Sequence, residues 1–312
     1  MKKLYKLCLI LFAVGLVMTI FGVAGGGQFD PGNYIASSSG YEGAYNSSDS
    51  VEDSENGFIN SESLHLNNVD SISINIAAGK LNIMPGDTFL IEYKNVDNRY
   101  FDCDIYDETL QINMSLPDSL IAAVGSSSSY NPELVVYVPA GFEADDVYVN
   151  MSAGLCRIDS LNAEDMEISL SLGELVITDS RTEEFYADVS GGKIDAQGLS
   201  IKEGNMNVSA GELSVSGLQA KRLDANVSAG KAVISGNVTK SGSFNCDLGS
   251  LDIDLAGSQS DYTMDINVDL GKLSINGDSY NGNNYMSLEG NGNGADLSLN
   301  CSAGKIDLDF ES

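Results

Sequence analysis

Met206-Asn-Val-Ser-Ala-Gly211-Glu-Leu-Ser-Val215 decides the fold, because the chain writes it again and again. The same phrase returns as Ala225-Asn-Val-Ser-Ala-Gly230-Lys-Ala-Val-Ile234, one step of 19 residues later. Val149-Asn-Met-Ser-Ala-Gly154 and Leu299-Asn-Cys-Ser-Ala-Gly304 are further copies. Glycines mark every unit: Gly154, Gly173, Gly192, Gly211, Gly230 and Gly249 at constant spacing, then Gly271 and Gly304 after gaps of 22 and 33. An earlier copy stands at Gly79. Apolar residues fall five and three positions before each glycine, and two and four after it. That is period two on both sides of a small turn, hence strand, bend, strand. A second bend is predicted near Ser216-Gly217 and Ser235-Gly236. A single unit cannot bury its apolar face, so the units must stack. The reading is all-β: a β-solenoid of coils of about 19 residues, with the eight glycines from Gly154 to Gly304 as structural turn residues.

Stacked coils bring equivalent residues within about 4.8 Å of each other. The position after the glycine reads Glu174, Lys193, Glu212, Lys231, with alternating sign. Such a row fixes register more than it stabilises, since an exposed pair is worth only about 0.2–1 kcal/mol. Four residues before the glycine the chain reads Asn150, Ser169, Asp188, Asn207, Asn226, Asn245, Asn267, Asn300. This row alternates with core positions and so faces outward. It is either an amide ladder sharing hydrogen bonds along the stack or a ligand-binding stripe. The cysteines Cys156, Cys246 and Cys301 occupy core slots and act as small hydrophobes. If coils stack in sequence order, Val268 separates Cys246 from Cys301 by about 9.6 Å, too far for a disulfide.

Working outward, residues 85–140 break the repeat. Phe89-Leu-Ile-Glu-Tyr93 and Leu110-Gln-Ile-Asn-Met114 alternate like hairpin strands, and Leu134-Val-Val-Tyr-Val138 is a more apolar strand. This excursion is expected to cover the first coils of the stack, because terminal units need capping. The domain plan is therefore a membrane segment over 1–24, a Gly/Ser/acidic tether over 25–63, an N-terminal β region over 64–148 and solenoid repeats over 149–312. Leu7 to Ala24 carries no charge, and as a helix it is roughly 27 Å long, enough to span a hydrocarbon core. Lys2, Lys3 and Lys6 would remain cytoplasmic, leaving the body outside a cell membrane crossed once. Small residues at Gly22-Val23-Ala24 also admit a cleaved signal peptide. The tether is too poor in apolar residues to offset chain entropy.

The net charge of the 312 residues is −29, from 16 Lys+Arg against 45 Asp+Glu. Residues 1–24 hold three lysines and no acid, so the remainder stands at about −32. Such a surface repels nucleic acid, whose binding needs Lys and Arg to displace counterions. The acidity serves solubility, or it attracts cations and cationic peptides. His65 is the only histidine and no CxxC spacing occurs, which removes the parts of a zinc site and of a His-based triad. No cofactor is expected. Acidic pairs such as Asp145-Asp146, or Asp252 with Asp254, leave a carbohydrate-cleaving enzyme formally open, but no Arg or His cluster accompanies them. Asp102, Asp104, Asp107 and Glu108 are a candidate calcium group, although their spacing does not fit an EF-hand.

Tyr137-Val-Pro-Ala-Gly141 followed by serial S-x-G-[KE]-[LI]-x-[IV] units behind an N-terminal anchor resembles the bacterial "putative adhesin" family of β-strand-repeat proteins, a domain of unknown function. The resemblance spans roughly residues 68–312. It implies a β-solenoid on a Gram-positive-type envelope, adhesion by name, and in some lineages envelope-stress systems that respond to cationic peptides. It brings no catalytic residues. Three expectations follow: a non-catalytic surface binding or sensing module with a cationic or cell-envelope partner, a self-assembling envelope scaffold, or, least supported, a β-helix enzyme.

Overall fold

The computed structural model describes residues 46–47, 58–59, 62–66, 68–116, 132–281, 284–292 and 294–311. The expected membrane segment at 1–24 and most of the tether at 25–63 lie outside the described residues. Among the described residues no helix is long and apolar enough to cross a membrane.

Short strands β1 (Asn46–Ser47), β2 (Phe58–Ile59) and β3 (Glu62–His65) precede the stack. β4 (Ser71–Ile76) and β5 (Gly79–Gly86) are the two sides of one coil, joined by Ala77-Ala78. β6 (Leu90–Lys94) and β7 (Val96–Asp97) follow. The Asp97 carboxylate is buried and bonded to Arg99 at 2.6 Å. The guanidinium hydrogen bond holds that carboxyl below the usual carboxylate range, against the opposing effect of burial. β8 (Phe101–Tyr106) and β9 (Thr109–Met114) form a hairpin, and β10 (Glu133–Pro139) completes the N-terminal region.

From there the chain runs through long strands that bend at each corner without losing their pairing. β11 (Glu143–Asp159), β12 (Asn162–Thr178) and β13 (Arg181–Gln197) are one coil each, and β14 (Ser200–Ala256) holds three. β15 (Thr263–Ile275), β16 (Asp278–Asn281), β17 (Asn284–Leu288) and β18 (Asp296–Glu311) finish the stack. Neighbours from β11 to β14 pair in parallel with a constant shift of 19 residues, as in Val149↔Ile168, Ile168↔Ala187 and Ala187↔Met206. The expected inside positions are the observed ones. Val208, Val227, Leu213, Val215 and their equivalents in every coil are buried and join a single core. The result is an all-β, solenoid-like open sheet.

The order of coils at both ends differs from the order in sequence. At the C-terminal side β18 pairs with the last coil of β14, as Phe244↔Asn-flanked Leu299 and Cys246↔Cys301. β15 then pairs with the far side of β18, as Ile266↔Leu299 and Val268↔Cys301. The spatial order is thus Gly249, Gly304, Gly271. Val268 does not separate the two cysteines, and the expected separation of two coils is corrected to one. The reason is that β15 carries its own antiparallel strands, β17 along Met264–Val268 and β16 along Lys272–Ile275. These occupy one edge of β15 and leave only the other for β18.

The N-terminal side repeats the device. β9 pairs in parallel with β4, and β10 in parallel with β5. Together they make an outer coil, while β4 and β5 stack inward on β11. Leu110–Met114 and Leu134–Val138 are therefore the two sides of an outer coil, a pairing that the hairpin alternation of Leu110–Met114 did not foresee. The covering role falls to β8 on β9 and β6 on β10, both antiparallel. The sheet runs without interruption across residue 148.

Candidate functional site

The repeat glycines form one continuous file. A Cβ added to Gly211 would stand 1.7 Å from the Gly192 carbonyl oxygen, and every other glycine of the file except Gly79, which meets Pro132, faces its neighbour in the same way. The file runs Gly79, Gly154, Gly173, Gly192, Gly211, Gly230, Gly249, Gly304, Gly271. Gly211 also has φ +142, a region that side chains avoid. Coil stacking here is backbone against backbone, so these glycines are architecture.

The amide row is a ladder. Asn226 donates to Asn207 at 2.8 Å, Asn245 to Asn226 at 2.8 Å and Asn300 to Asn245 at 2.9 Å. These side chains are half-buried and engaged with each other. Their mutual bonding satisfies groups that would otherwise be costly to leave unpaired. Glu174, Lys193 and Glu212 are register neighbours, as the sequence predicts. The direct ion pair of Lys193, however, is with Asp195 two residues on, at 2.9 Å. Asp252 and Asp254 lie beside Asp307 and Asp309 on the outer face of two adjacent coils. Asp102 and Asp104 sit on β8, and Asp107 and Glu108 turn its hairpin with φ 48 and 61. Among the described residues no three His, Cys, Asp or Glu side chains converge to hold a metal ion.

A groove of about 610 Å³ with a distinct chemistry runs across five coils. One wall is a file of carboxylates in register, Asp146, Asp165, Glu184 and Glu203. The other wall reads Tyr148, Glu167, Tyr186, Asn205 and Asp224. Val147, Met166 and Phe185 form the buried floor between them. The strand twist of the coil explains the layout. Floor residues point inward, and their flanking neighbours point outward on either side. Arg222 closes one end and is paired with Glu203. Among the described residues no ion pair forms at Asp146, Asp165 or Glu184. Like charges about 5 Å apart repel by roughly 1 kcal/mol in water, so the file is poised to gain from a cation. Tyr186 donates to Asp188 at 3.3 Å. Burial, then that carboxylate, pushes its phenol above the ordinary range.

Just round the corner, a second groove has Glu164, Glu183, Lys202 and Lys221. Here Lys202 pairs with Glu183, and Arg181, Lys202 and Lys221 offset most of the charge of Glu143, Asp145, Glu164 and Glu183. Sequence reading missed the acidic file, although its signal was present: acids recur eight residues before four consecutive glycines.

Cys156 and Cys103 are poor nucleophiles where they sit. Burial pushes Cys156 to about 12, and burial with Asp102 and Asp104 does the same to Cys103.

Parallel coils in register, a glycine file and capping antiparallel strands define a stacked-coil β-repeat protein. The chain belongs to the family described as Toastrack DUF4097, whose model matches residues 69–309. Solved structures similar to it include a "putative adhesin" of Bacteroides fragilis NCTC 9343, 10% identical, with 80% of this chain and 96% of that one covered and a TM-score of 0.45. Another is a "putative lipid binding protein" of Parabacteroides distasonis ATCC 8503, 12% identical, covering 81% and 96%, with a TM-score of 0.42. A third is a "putative cell adhesion protein" of Clostridium sporogenes ATCC 15579, 12% identical, covering 80% and 99%, with a TM-score of 0.27. No protein with a curated description matches the chain. The family is one of unknown function, and it assigns no catalytic role.

Proposed function

We propose that this protein is a non-catalytic binding module of the cell surface, held to the membrane through residues 1–24, that takes a cationic peptide or cationic envelope component along its acidic groove. The observation that carries this reading is the register file Asp146, Asp165, Glu184, which has no ion-pair partner among the described residues while the adjacent corner carries Arg181, Lys202 and Lys221. Rows of one sign attract partners of the other through long-range forces that salt weakens. A file that advances about 4.8 Å per coil offers several carboxylates side by side to one partner bearing several positive groups. The tether would hold the stack away from the lipid.

The scaffold reading draws less support. Both ends of the stack finish in antiparallel strands, and the outer strand β8 presents Asp102 and Asp104, charges that discourage edge pairing.

The test is titration of the full chain, in mild detergent, with a lysine-rich peptide and separately with wall glycan fragments. Peptide binding that falls strongly between low and physiological salt is expected, with no product released. Replacing Asp146, Asp165 and Glu184 by Asn, Asn and Gln should weaken it about tenfold or more. Salt-insensitive glycan binding would point instead to an adhesin with a shaped site. Cleaved glycan would make the protein an enzyme.

A further inference from the structure

Cys246 and Cys301 are direct register partners in adjacent coils, 55 residues apart in sequence. Both are buried in the same core row. In-register neighbours have Cα atoms about 4.8 Å apart, inside the window of roughly 4.4–6.8 Å that a disulfide spans. Their Cβ atoms leave the backbone on the same side, about 4.8 Å apart against the roughly 3.5–4.5 Å of a disulfide, so closure needs rotation of both side chains and an approach of the two strands by a few tenths of an ångström, with no change of register. Among the described residues no other two cysteines are neighbours: Cys156 lies between Leu81 and Leu175, and Cys103 faces Ile112. Other coils fill this row with apolar residues, valine at Val189, Val208, Val227 and Val268 and a larger side chain at Met151 and Leu170. Nothing about the core requires sulfur at two adjacent places.

We propose that Cys246 and Cys301 are a disulfide-forming pair that fastens β18 to the last coil of β14. The pair bridges the C-terminal junction at which sequence order and spatial order part. β15, with its antiparallel strands, reaches the rest of the stack through β18. A bond at this point therefore secures the whole C-terminal end. The oxidant is a disulfide-bearing molecule. The Cys301 thiolate attacks one of its sulfurs while β18 is undocked, forming a mixed disulfide and releasing one thiol. As β18 docks, Cys246 loses its proton and displaces the second thiol. Two protein thiols become one S–S bond, the oxidant's disulfide becomes two thiols, and two electrons and two protons are accounted for. Once docked, the buried bond is shielded from reductants. The chemistry is independent of where the protein resides and of what the acidic groove binds.

The experiment refolds the full chain from denaturant into a buffer of oxidised and reduced glutathione, checks strand content by circular dichroism, and then denatures it with an alkylating reagent and no reductant. Two of the five cysteines should escape alkylation. Tryptic peptides 241–272 and 273–305 should appear joined, lighter by two hydrogens than the two apart. Dithiothreitol should lower the thermal midpoint by roughly 5–10 °C. Cys246→Val and Cys301→Val keep the residue type native to this row, so each should fold, lose the link and lose the sensitivity to reductant. Cys156→Val should retain both. Five alkylated cysteines in the refolded protein, a link between any other two, or a reductant-sensitive midpoint in Cys301→Val would overturn the pairing.

Discussion

The middle of the stack and its two ends use the same rows but are threaded differently. From Glu143 to Ala256 each coil rests on the one that precedes it in the chain, and every ladder advances by 19 residues. At either end the chain passes one layer out and then returns. The coil of β4 and β5 lies between the outer coil of β9 and β10 and the inner β11. The coil of β18 lies between β14 and the outer β15. The difference separates two kinds of specificity. Rows determine how any two coils align, because backbone file, amides and core all agree in register. They do not determine which coils are neighbours, since all coils offer the same rows. Neighbour choice comes from local contacts such as Tyr262 against Phe310, with ring centres 5.0 Å apart, and Asn276, whose backbone N–H donates to Leu308 and whose side chain accepts from the Phe310 N–H.

The largest expected effect strikes the C-terminal threading. Removing residues 296–312 takes away the only coil on which β15 stacks, and a small set of antiparallel strands is not stable alone. Hydrogen exchange should show amide protection lost throughout Thr263–Leu288, while Asn162–Gln197 keeps its own. Retained protection in Thr263–Ile275 would mean that β15 can drop onto β14 and that rows alone choose neighbours.

A core charge should divide the two regions next. Val208→Asp buries an unpaired carboxylate with coils on both sides and should cost several kcal/mol, melting the middle cooperatively. Val268→Asp, in the outer coil, should disorder only the C-terminal end. Asn207→Asp keeps an acceptor for Asn226 and loses the donation to Asn205 at 2.7 Å, so it should cost about 1 kcal/mol. Chemical denaturation resolves the three. Equal losses at Val208 and Asn207 would reverse the assignment of inside and outside.

The smallest effect tests the ladder itself. Glu212→Lys sets three lysines in a row between coils and should lower stability by less than about 1 kcal/mol. Lys193→Glu should restore part of it, provided the pairing of Lys193 with Asp195 does not absorb the change. Additive single and double variants would show that this row contributes nothing across coils.

Much of this was legible in the residues. Period two around a repeated glycine gives the inward positions, and the observed core follows them at Val208, Leu213, Val227 and Cys246 alike. The amide ladder was legible for the same reason. Neighbour order at the ends was not, because gaps of 22 and 33 residues measure the length of a connection and not its destination. Residues 109–139 hid a coil for a related reason. Its turn is not Ser-Ala-Gly but a long insertion, and Pro132 takes the place beside Gly79. The acidic file at Asp146, Asp165, Glu184 and Glu203 could have been found by reading charges at the repeat period. What hid it was its neighbour row of mixed sign, Glu164, Glu183, Lys202 and Lys221, which blurs the pattern until the corner between them is known.

The threading also imposes a timetable. A ribosome delivers the chain from one end, and each middle coil can settle on its predecessor as it appears. Residues 71–86 emerge early yet must await 109–159 before both of their edges are covered. Residues 263–275 emerge before their seat exists and can settle only when 296–311 have followed. The stack therefore closes from its middle outward, and β15 takes its seat only after β18 has reached its own.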